Sequence, residues 1–130
     1  MSQRLLEVAA DRAALAAILD ARGRHREAQE PLRQALSIVE SVLGPDHYEV
    51  AVTLEQLAAI ARRAGDAAEA TAVCERALAI KRRVLGADDP GVAETLKELG
   101  ALYLAAGRAE EAEAALSLAL EISSHGSNRP

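Results

Sequence analysis

The sequence predicts an all-α fold in which six helices form a solenoid of three helix–turn–helix repeats. Three observations lead to this prediction. Half of the chain is apolar, yet only Tyr48 and Tyr103 are aromatic. Alanine and leucine dominate a composition that is also rich in glutamate and arginine, and all four are strong helix formers. The third observation is an internal repeat, in which Val42-Leu43-Gly44-Pro45-Asp46 recurs as Val84-Leu85-Gly86-Ala87-Asp88.

The repeat aligns without gaps over most of the chain. When residues 44–80 are placed on residues 86–122, an offset of 42, 17 of 37 positions are identical. A second offset of 42 residues brings Gly23 into register with Gly65. A single repeat of this kind cannot bury its apolar face alone, so the three must stack. We therefore expect one domain over residues 1–123, with repeats at about 4–43, 44–85 and 86–123, and a flexible tail at 124–130.

Each repeat is predicted to contain two amphipathic helices. In the second repeat, apolar residues recur at helical spacing on both sides of Gly65. Gly23, Gly65 and Gly107 stand where a helix would end in a left-handed residue. The predicted helices span approximately residues 4–21, 25–42, 48–63, 67–84, 90–105 and 109–123.

Capping residues mark two of the helix starts. Asp66, followed by Glu69 three positions later, predicts a capping box at the start of the fourth helix. Asp89 before Pro90 predicts an N-cap followed by proline at the first position of the fifth helix.

Composition and charge argue against several classes of partner. The net charge of -5 and the scarcity of aromatic residues argue against nucleic-acid binding. No apolar run approaches the roughly 18 residues of a membrane span, so no membrane partner is expected. The single cysteine, Cys74, excludes an intramolecular disulfide and favours a reducing, cytoplasmic location. The large excess of arginine over lysine, together with the alanine content, suggests a bacterial source.

The repeated pattern resembles the tetratricopeptide repeat. The residues that carry the pattern in the second copy are Leu54, Leu57, Ala58, Gly65, Ala70, Ala77 and Leu78. In the third copy they are Leu96, Leu99, Gly100, Tyr103, Gly107, Ala112, Ala119 and Leu120. The long 42-residue period and the Val-Leu-Gly-Pro-Asp-His linker resemble the kinesin-light-chain-like subclass. The resemblance implies a right-handed superhelix that binds a peptide or protein without catalysis.

In this family the first helix of each repeat lines a concave face, which is the default binding surface. The resemblance places Ala10, Ala13, Ala17 and Asp20 of the first copy there, with Val52, Glu55, Gln56, Ala59, Arg62 and Arg63 of the second and Glu94, Lys97, Glu98, Ala101 and Leu104 of the third. Peptide-binding members of the subclass commonly grip a peptide backbone with asparagines. Here Gln56 is the nearest substitute, because the only asparagine is Asn128.

An arginine cluster has two interpretations. Arg22, Arg24 and Arg26 at the first inter-helix turn are expected near Arg62 and Arg63. The cluster could anchor an acidic peptide or a terminal carboxylate, because guanidinium groups bind carboxylates through two hydrogen bonds. Alternatively, these residues complement the negative ends of helix dipoles, which is a common arrangement.

The sequence does not predict an enzyme, a metal site or a cofactor. His25 lies in a turn, His47 lies where this family often has a helix-capping histidine, and His125 lies in the tail. Cys74 occupies the place of Leu32 and Leu116 in the other copies, so it is interpreted as a small buried apolar residue. The linker residues Asp46, Asp88 and Asp89 lack the ligand spacing of a calcium loop.

The C-terminal end suggests an alternative function. Leu118 replaces Arg76 and Gln34 of the earlier copies, and the pattern assigns it with Ala115 and Ile122 to the side where a fourth repeat would stack. An exposed apolar patch on a small domain commonly marks an interface. Self-association into a homo-oligomer would cover this patch, as would a longer chain or the tail.

Overall fold

The computed structural model describes residues 2–127, and within this range it contains six α-helices and no strand. The helices account for 86% of these residues. They are α1 (Ser2–Ala21), α2 (His25–Leu43), α3 (Tyr48–Arg63), α4 (Ala67–Leu85), α5 (Pro90–Ala105) and α6 (Ala109–Ser127). Because no proline or left-handed glycine ends α6 at residue 123, the helix continues through residues 124–127, which the sequence pattern assigns to the tail. Residues 128–130 of the predicted tail lie outside the described residues.

The helices pack mainly against their neighbours in sequence, in the order α1–α2, α2–α3, α3–α4, α4–α5 and α5–α6. Pairs α1–α2, α3–α4 and α5–α6 form the three repeats, so the predicted solenoid of helix pairs is confirmed. Two apolar clusters fill it, one shared by the first and second repeats and one shared by the second and third.

The turn inside each repeat closes with the same hydrogen bonds. After α3, the Gly65 N–H donates to the carbonyl of Arg62 at 3.1 Å and the Asp66 N–H donates to the carbonyl of Ala61 at 2.8 Å. This pair of bonds is a Schellman motif, and it requires a left-handed residue, which Gly65 supplies with a φ of 81°. Equivalent bonds form at Gly23 and Gly107.

The linker between repeats depends on glycine more strictly. Gly44 has φ 96° and ψ 153°, and Gly86 has φ 93° and ψ 152°. This part of backbone space is open almost only to glycine, because a Cβ atom would crowd the backbone atoms next to it in the chain. The helix that follows each linker is capped by a side chain: His47 Nδ1 accepts from the Glu49 N–H at 3.0 Å, and Asp89 Oδ1 accepts from the Gly91 N–H at 2.7 Å.

The predicted capping box at α4 is only half formed. Asp66 Oδ1 accepts a hydrogen bond from the Glu69 N–H at 3.2 Å, which confirms the N-cap. The reciprocal bond is absent because the Asp66 N–H already donates to Ala61 and the Glu69 carboxylate binds Arg33 of the preceding repeat, with Nε–Oε1 at 3.0 Å.

The apolar face of the first helix of a repeat is buried only where another repeat precedes it. On α3 and α5 this face consists of Val50, Leu57, Ile60, Val92, Leu99 and Leu102, each at most 8% exposed. The equivalent residues of α1 are Val8, Leu15 and Ile18, which are 37%, 48% and 58% exposed. The preceding repeat therefore supplies the burial, as expected for a solenoid.

The junction between the first and second repeats carries polar contacts between α2 and α4. Arg33 binds Glu69 and Arg76 binds Glu40, while the Gln29 amide donates to Asp66 Oδ2 at 3.1 Å. Several of these side chains are substantially exposed, so each ion pair contributes at most about 1 kcal/mol.

The junction between the second and third repeats contains a buried polar cluster instead. Lys81 on α4 is only 6% exposed, and its Nζ lies 2.6 Å from Glu55 Oε1 on α3 and 3.2 Å from Thr95 Oγ1 on α5. The Thr95 hydroxyl lies 2.9 Å from Glu55 Oε2. One buried cation therefore ties together three helices from two repeats.

The linker geometry predicts the effect of replacing Gly86. Gly86→Ala is expected to lower the free energy of unfolding by about 1–3 kcal/mol, the usual strain of a side chain in this backbone region. Urea unfolding followed by helical circular dichroism measures the change. Gly65→Asn is the matched control, because asparagine tolerates the left-handed conformation of a Schellman turn. Equal losses in the two variants would contradict the assignment.

The buried cluster predicts coupling between Glu55 and Lys81. Glu55→Ala leaves the Lys81 ammonium buried without its carboxylate, and a loss of about 3–5 kcal/mol of unfolding free energy is expected. The double variant Glu55→Ala, Lys81→Val carries the residues that the first repeat has at these positions, Ala13 and Val39. Its loss should be clearly smaller than the sum of the two single losses in urea titrations. Additive losses would show that the pair is not coupled.

Candidate interaction surface

A pocket of about 210 Å³ lies between α1 and α3, where the first and second repeats meet. It is lined by Ala13, Ala17, Asp20, Leu32, Gln56, Ala59, Ile60 and Arg63. Most of these residues belong to the set that family geometry assigns to the concave face; Leu32 and Ile60 are the exceptions. The alanines leave room at the floor, because a larger residue at the same position would occupy the space.

One charged pair closes the rim of this pocket. Arg63 Nε donates to Asp20 Oδ1 at 3.0 Å, and His25 Nδ1 lies 2.6 Å from the same oxygen. The hydrogen bond from Arg63 lowers the pKa of the Asp20 carboxyl below its ordinary value, although partial burial opposes the shift. Arg63 therefore serves a contact between repeats, and its charge is already balanced.

Two polar side chains on α3 remain available to a ligand. Gln56 and Arg62 are exposed, and neither side chain makes a hydrogen bond or ion pair with any residue that the structure describes. The field of Arg62 reaches Glu98 on α5. Burial raises the pKa of the Glu98 carboxyl, the nearby Glu55 adds to this rise, and Lys81 and Arg62 oppose it.

The other predicted binding residues differ in availability. Glu55 is held by Lys81 and Thr95, so it is not free to bind a partner. Glu94 and Lys97 on α5 lie 3.5 Å apart and are both exposed, and Ala101 is exposed on the same helix. The concave side therefore presents an apolar pocket, two free polar groups on α3, the Glu94–Lys97 pair on α5, and Glu98, which forms no ion pair with a described residue.

The arginine cluster is largely engaged. Arg26 donates to the carbonyl of Ala64 at the C-terminal end of α3, at 3.3 Å, as the helix-dipole interpretation expects. Arg24 pairs with Glu27 at 2.5 Å, and Arg63 pairs with Asp20. Of the five arginines that could anchor an acidic peptide, two, Arg22 and Arg62, have exposed side chains without a partner among the described residues.

The residues predicted to form an exposed apolar patch at the C-terminal end, Ala115, Leu118 and Ile122, do not form one. Ala115 and Ile122 are 6% and 4% exposed within the core of the second and third repeats, and Leu118 packs half-buried against the same cluster. The reason is that this position faces backward: its equivalent, Arg76, binds Glu40 of the preceding repeat. The exposed apolar residues of α6 are Leu116 and Leu120.

Sequence reasoning missed Lys81 and Thr95. A signal was present, because the second repeat has Glu55 and Lys81 where the first has Ala13 and Val39. Two opposite charges that appear together at positions where the preceding repeat is apolar indicate a pair in contact.

The structure shows no arrangement typical of a catalytic or metal site in the part of the chain that it describes. Burial raises the pKa of the Cys74 thiol to about 12, with Glu98 and Glu55 adding to the effect, so the thiolate needed for nucleophilic attack is disfavoured. His47 Nδ1 is occupied as a helix cap. Within residues 2–127, no group of three or more histidine, cysteine or acidic side chains could hold a metal ion, and no helix is long and apolar enough to cross a membrane.

Solved structures similar to this chain are also helical repeat proteins. BtubC (BKLC) from P. vanneervenii is 29% identical with a TM-score of 0.85, and the match covers 95% of this chain and 49% of that one. A putative kinesin light chain with nearly identical TPR-like repeats from Podosopora anserina is 26% identical with a TM-score of 0.79, covering 100% and 61%. This chain thus spans about half to three fifths of these relatives. The TPR domain of Arabidopsis FLU is 20% identical with a TM-score of 0.75, and the match covers 96% of that domain. At this identity the similarity is evidence for the fold and for nothing more.

The comparison with curated proteins gives no significant match. The family model described as tetratricopeptide repeat matches residues 6–72 and 49–124, which together span nearly the whole chain. The family model, the long repeat period and the kinesin-light-chain-like structures all indicate tetratricopeptide repeats of the kinesin-light-chain kind. The chain therefore belongs to the tetratricopeptide repeat family, and its repeats are of the kinesin-light-chain kind.

Proposed function

We propose that this protein is a noncatalytic interaction module that binds an extended segment of another protein on its concave face. Members of the family generally mediate protein–protein interaction or scaffolding. A cytoplasmic location is part of the proposal, supported by the single buried cysteine.

The observation that carries the proposal is the pocket between α1 and α3. Its volume of about 210 Å³ and its floor of Ala13, Ala17 and Ala59 suit one apolar side chain of a ligand. Placing such a side chain against Leu32 and the alanines removes apolar surface from water, which favours binding.

Free polar groups beside the pocket suit the backbone of the same ligand. The Gln56 amide can both donate to and accept from a peptide unit, which matches the role that asparagines play in related grooves. Arg62 can bind a ligand carbonyl or carboxylate. Most other charges on this face are paired with one another, so we expect a ligand segment of low net charge. No tryptophan or phenylalanine is present to act as an anchor, so the affinity is expected to be modest.

Filling the pocket should weaken binding. Peptides are first selected from a displayed library of random linear sequences on the wild-type protein, and the strongest binder is labelled for fluorescence anisotropy. Ala59→Leu fills the pocket, and Gln56→Ala removes the amide. Each is expected to raise the Kd about tenfold, equivalent to about 1.4 kcal/mol. The thermal unfolding midpoint of Gln56→Ala should stay at the wild-type value, because this side chain is exposed.

The charge on the concave face can be tested separately with a matched pair of variants. Arg62→Glu should weaken binding of the same peptide. Arg82→Glu makes the same change of charge at an exposed position of α4 and should leave the Kd unaltered. Arg63 is avoided because its replacement would break the contact with Asp20. Selected peptides that bind Ala59→Leu, Gln56→Ala and Arg62→Glu as well as wild type would refute binding at this face.

A further inference from the structure

The two ends of the solenoid expose opposite halves of the junction that the molecule uses twice internally. We call Val8, Leu15 and Ile18 on α1 the N-terminal face. Their equivalents in the later repeats are buried by the repeat that precedes them.

On α6, Leu116 and Leu120 are 40% and 65% exposed, and we call them the C-terminal face. The equivalents of Leu116 are Leu32 and Cys74, which are at most 1% exposed. The equivalents of Leu120 are Leu78, which is 8% exposed, and Leu36, which is half-buried. These positions are therefore covered where another repeat follows. The C-terminal face lacks that cover within the described residues.

A contact between neighbouring repeats can be transferred to two molecules by replacing each residue with its equivalent in the third repeat of one copy and in the first repeat of another. Transferred in this way, the internal contacts bring complementary charges together at the two ends. The contact between Glu55 and Thr95 in the second junction corresponds to Lys97 of one copy against Asp11 of another. The contact between Gln29 and Asp66 in the first junction becomes Glu113 against Arg24. Both transposed pairs join opposite charges, in addition to the contacts that Arg24 makes with Glu27 and Lys97 makes with Glu94 inside each copy.

Other internal contacts transpose without conflict. The pair Asp20–Arg63 becomes Leu104 against Ala21, an apolar contact, and Leu104 is 63% exposed in the single copy. The pair Arg76–Glu40 becomes Gln34 against Ser124, both neutral. The ion pairs and side-chain hydrogen bonds of the two junctions, shifted in this way, bring no two like charges together.

We propose that the C-terminal face of one copy stacks on the N-terminal face of a second copy, head to tail, and so repeats the internal junction between molecules. The partner is a second copy because the two faces match each other in register, apolar content and charge. Such a contact joins two different surfaces and leaves a free face at each end. Assembly therefore continues beyond a dimer as concentration rises, and the concave pockets stay open along the stack.

Blocking one face at a time tests this arrangement. Ile18→Glu places a charge on the N-terminal face, and Leu120→Glu places one on the C-terminal face. Both side chains are more than half exposed, so neither variant should disturb the fold, and circular dichroism verifies this. In sedimentation velocity, the average mass of wild-type protein should rise with concentration beyond that of a dimer, while each variant alone should remain monomeric.

A mixture of the two variants gives the decisive result. Ile18→Glu retains an intact C-terminal face and Leu120→Glu retains an intact N-terminal face, so an equimolar mixture should form a one-to-one dimer and nothing larger. Val84→Glu is the matched control: this side chain is an exposed apolar residue away from both faces, and its replacement should leave assembly as in the wild type.

Several outcomes would overturn the proposal. Wild-type protein that stays monomeric at every concentration would exclude self-stacking and assign the faces to other proteins or to further repeats. Dimers formed by either variant alone would indicate a symmetric interface instead. Loss of assembly in Val84→Glu would place the contact elsewhere.

The register has its own test. Arg24→Glu should weaken assembly a few-fold, as expected for an exposed charge pair. To isolate one junction, Arg24→Glu is combined with Leu120→Glu in one chain, and Glu113→Arg is combined with Ile18→Glu in the other. This dimer should recover the affinity of the pair without the charge changes. Failure to recover would refute the transposed register.

Discussion

The structure depends on one constraint: within the described residues, the apolar face on the first helix of a repeat is buried only where another repeat precedes it. Val50 and Ile60 are buried, whereas their equivalents Val8 and Ile18 are exposed, although the residues are the same. The difference comes entirely from position in the stack. Stability in this molecule therefore depends on the junctions as well as on the packing within each repeat, and within the described residues the first repeat forms a junction only with the second.

The two junctions satisfy this constraint with different chemistry, and the difference shapes the concave surface. The first joins its repeats through surface pairs such as Arg33–Glu69 and leaves small residues around a pocket. The second uses the buried Lys81, which withdraws Glu55 from contact with a ligand. Glu55, which the repeat pattern assigns to ligand binding, instead contacts residues of two repeats. Fewer polar groups on the concave face, mainly Gln56 and Arg62, remain to contact a ligand.

Local patterns predicted most of the fold, because caps, turns and helical periodicity involve residues within a few positions of one another. The N-caps at Asp66 and Asp89 are examples. The candidate site was less predictable, because availability depends on partners in a different repeat, as for Arg63 with Asp20. The prediction for Leu118 was wrong for a related reason. The repeat pattern shows which residues occupy equivalent positions, but it does not show whether such a position faces the previous repeat or the next one.

The linker glycines define how such a protein can change in length. Gly44 and Gly86 adopt nearly the same backbone conformation, so the step from one repeat to the next is nearly the same at both linkers. An insertion or deletion of a few residues there would break this step and misalign the apolar faces on either side. Duplication of a whole repeat preserves both the glycine and the register. In evolution, this solenoid can therefore lengthen or shorten readily only by complete repeats.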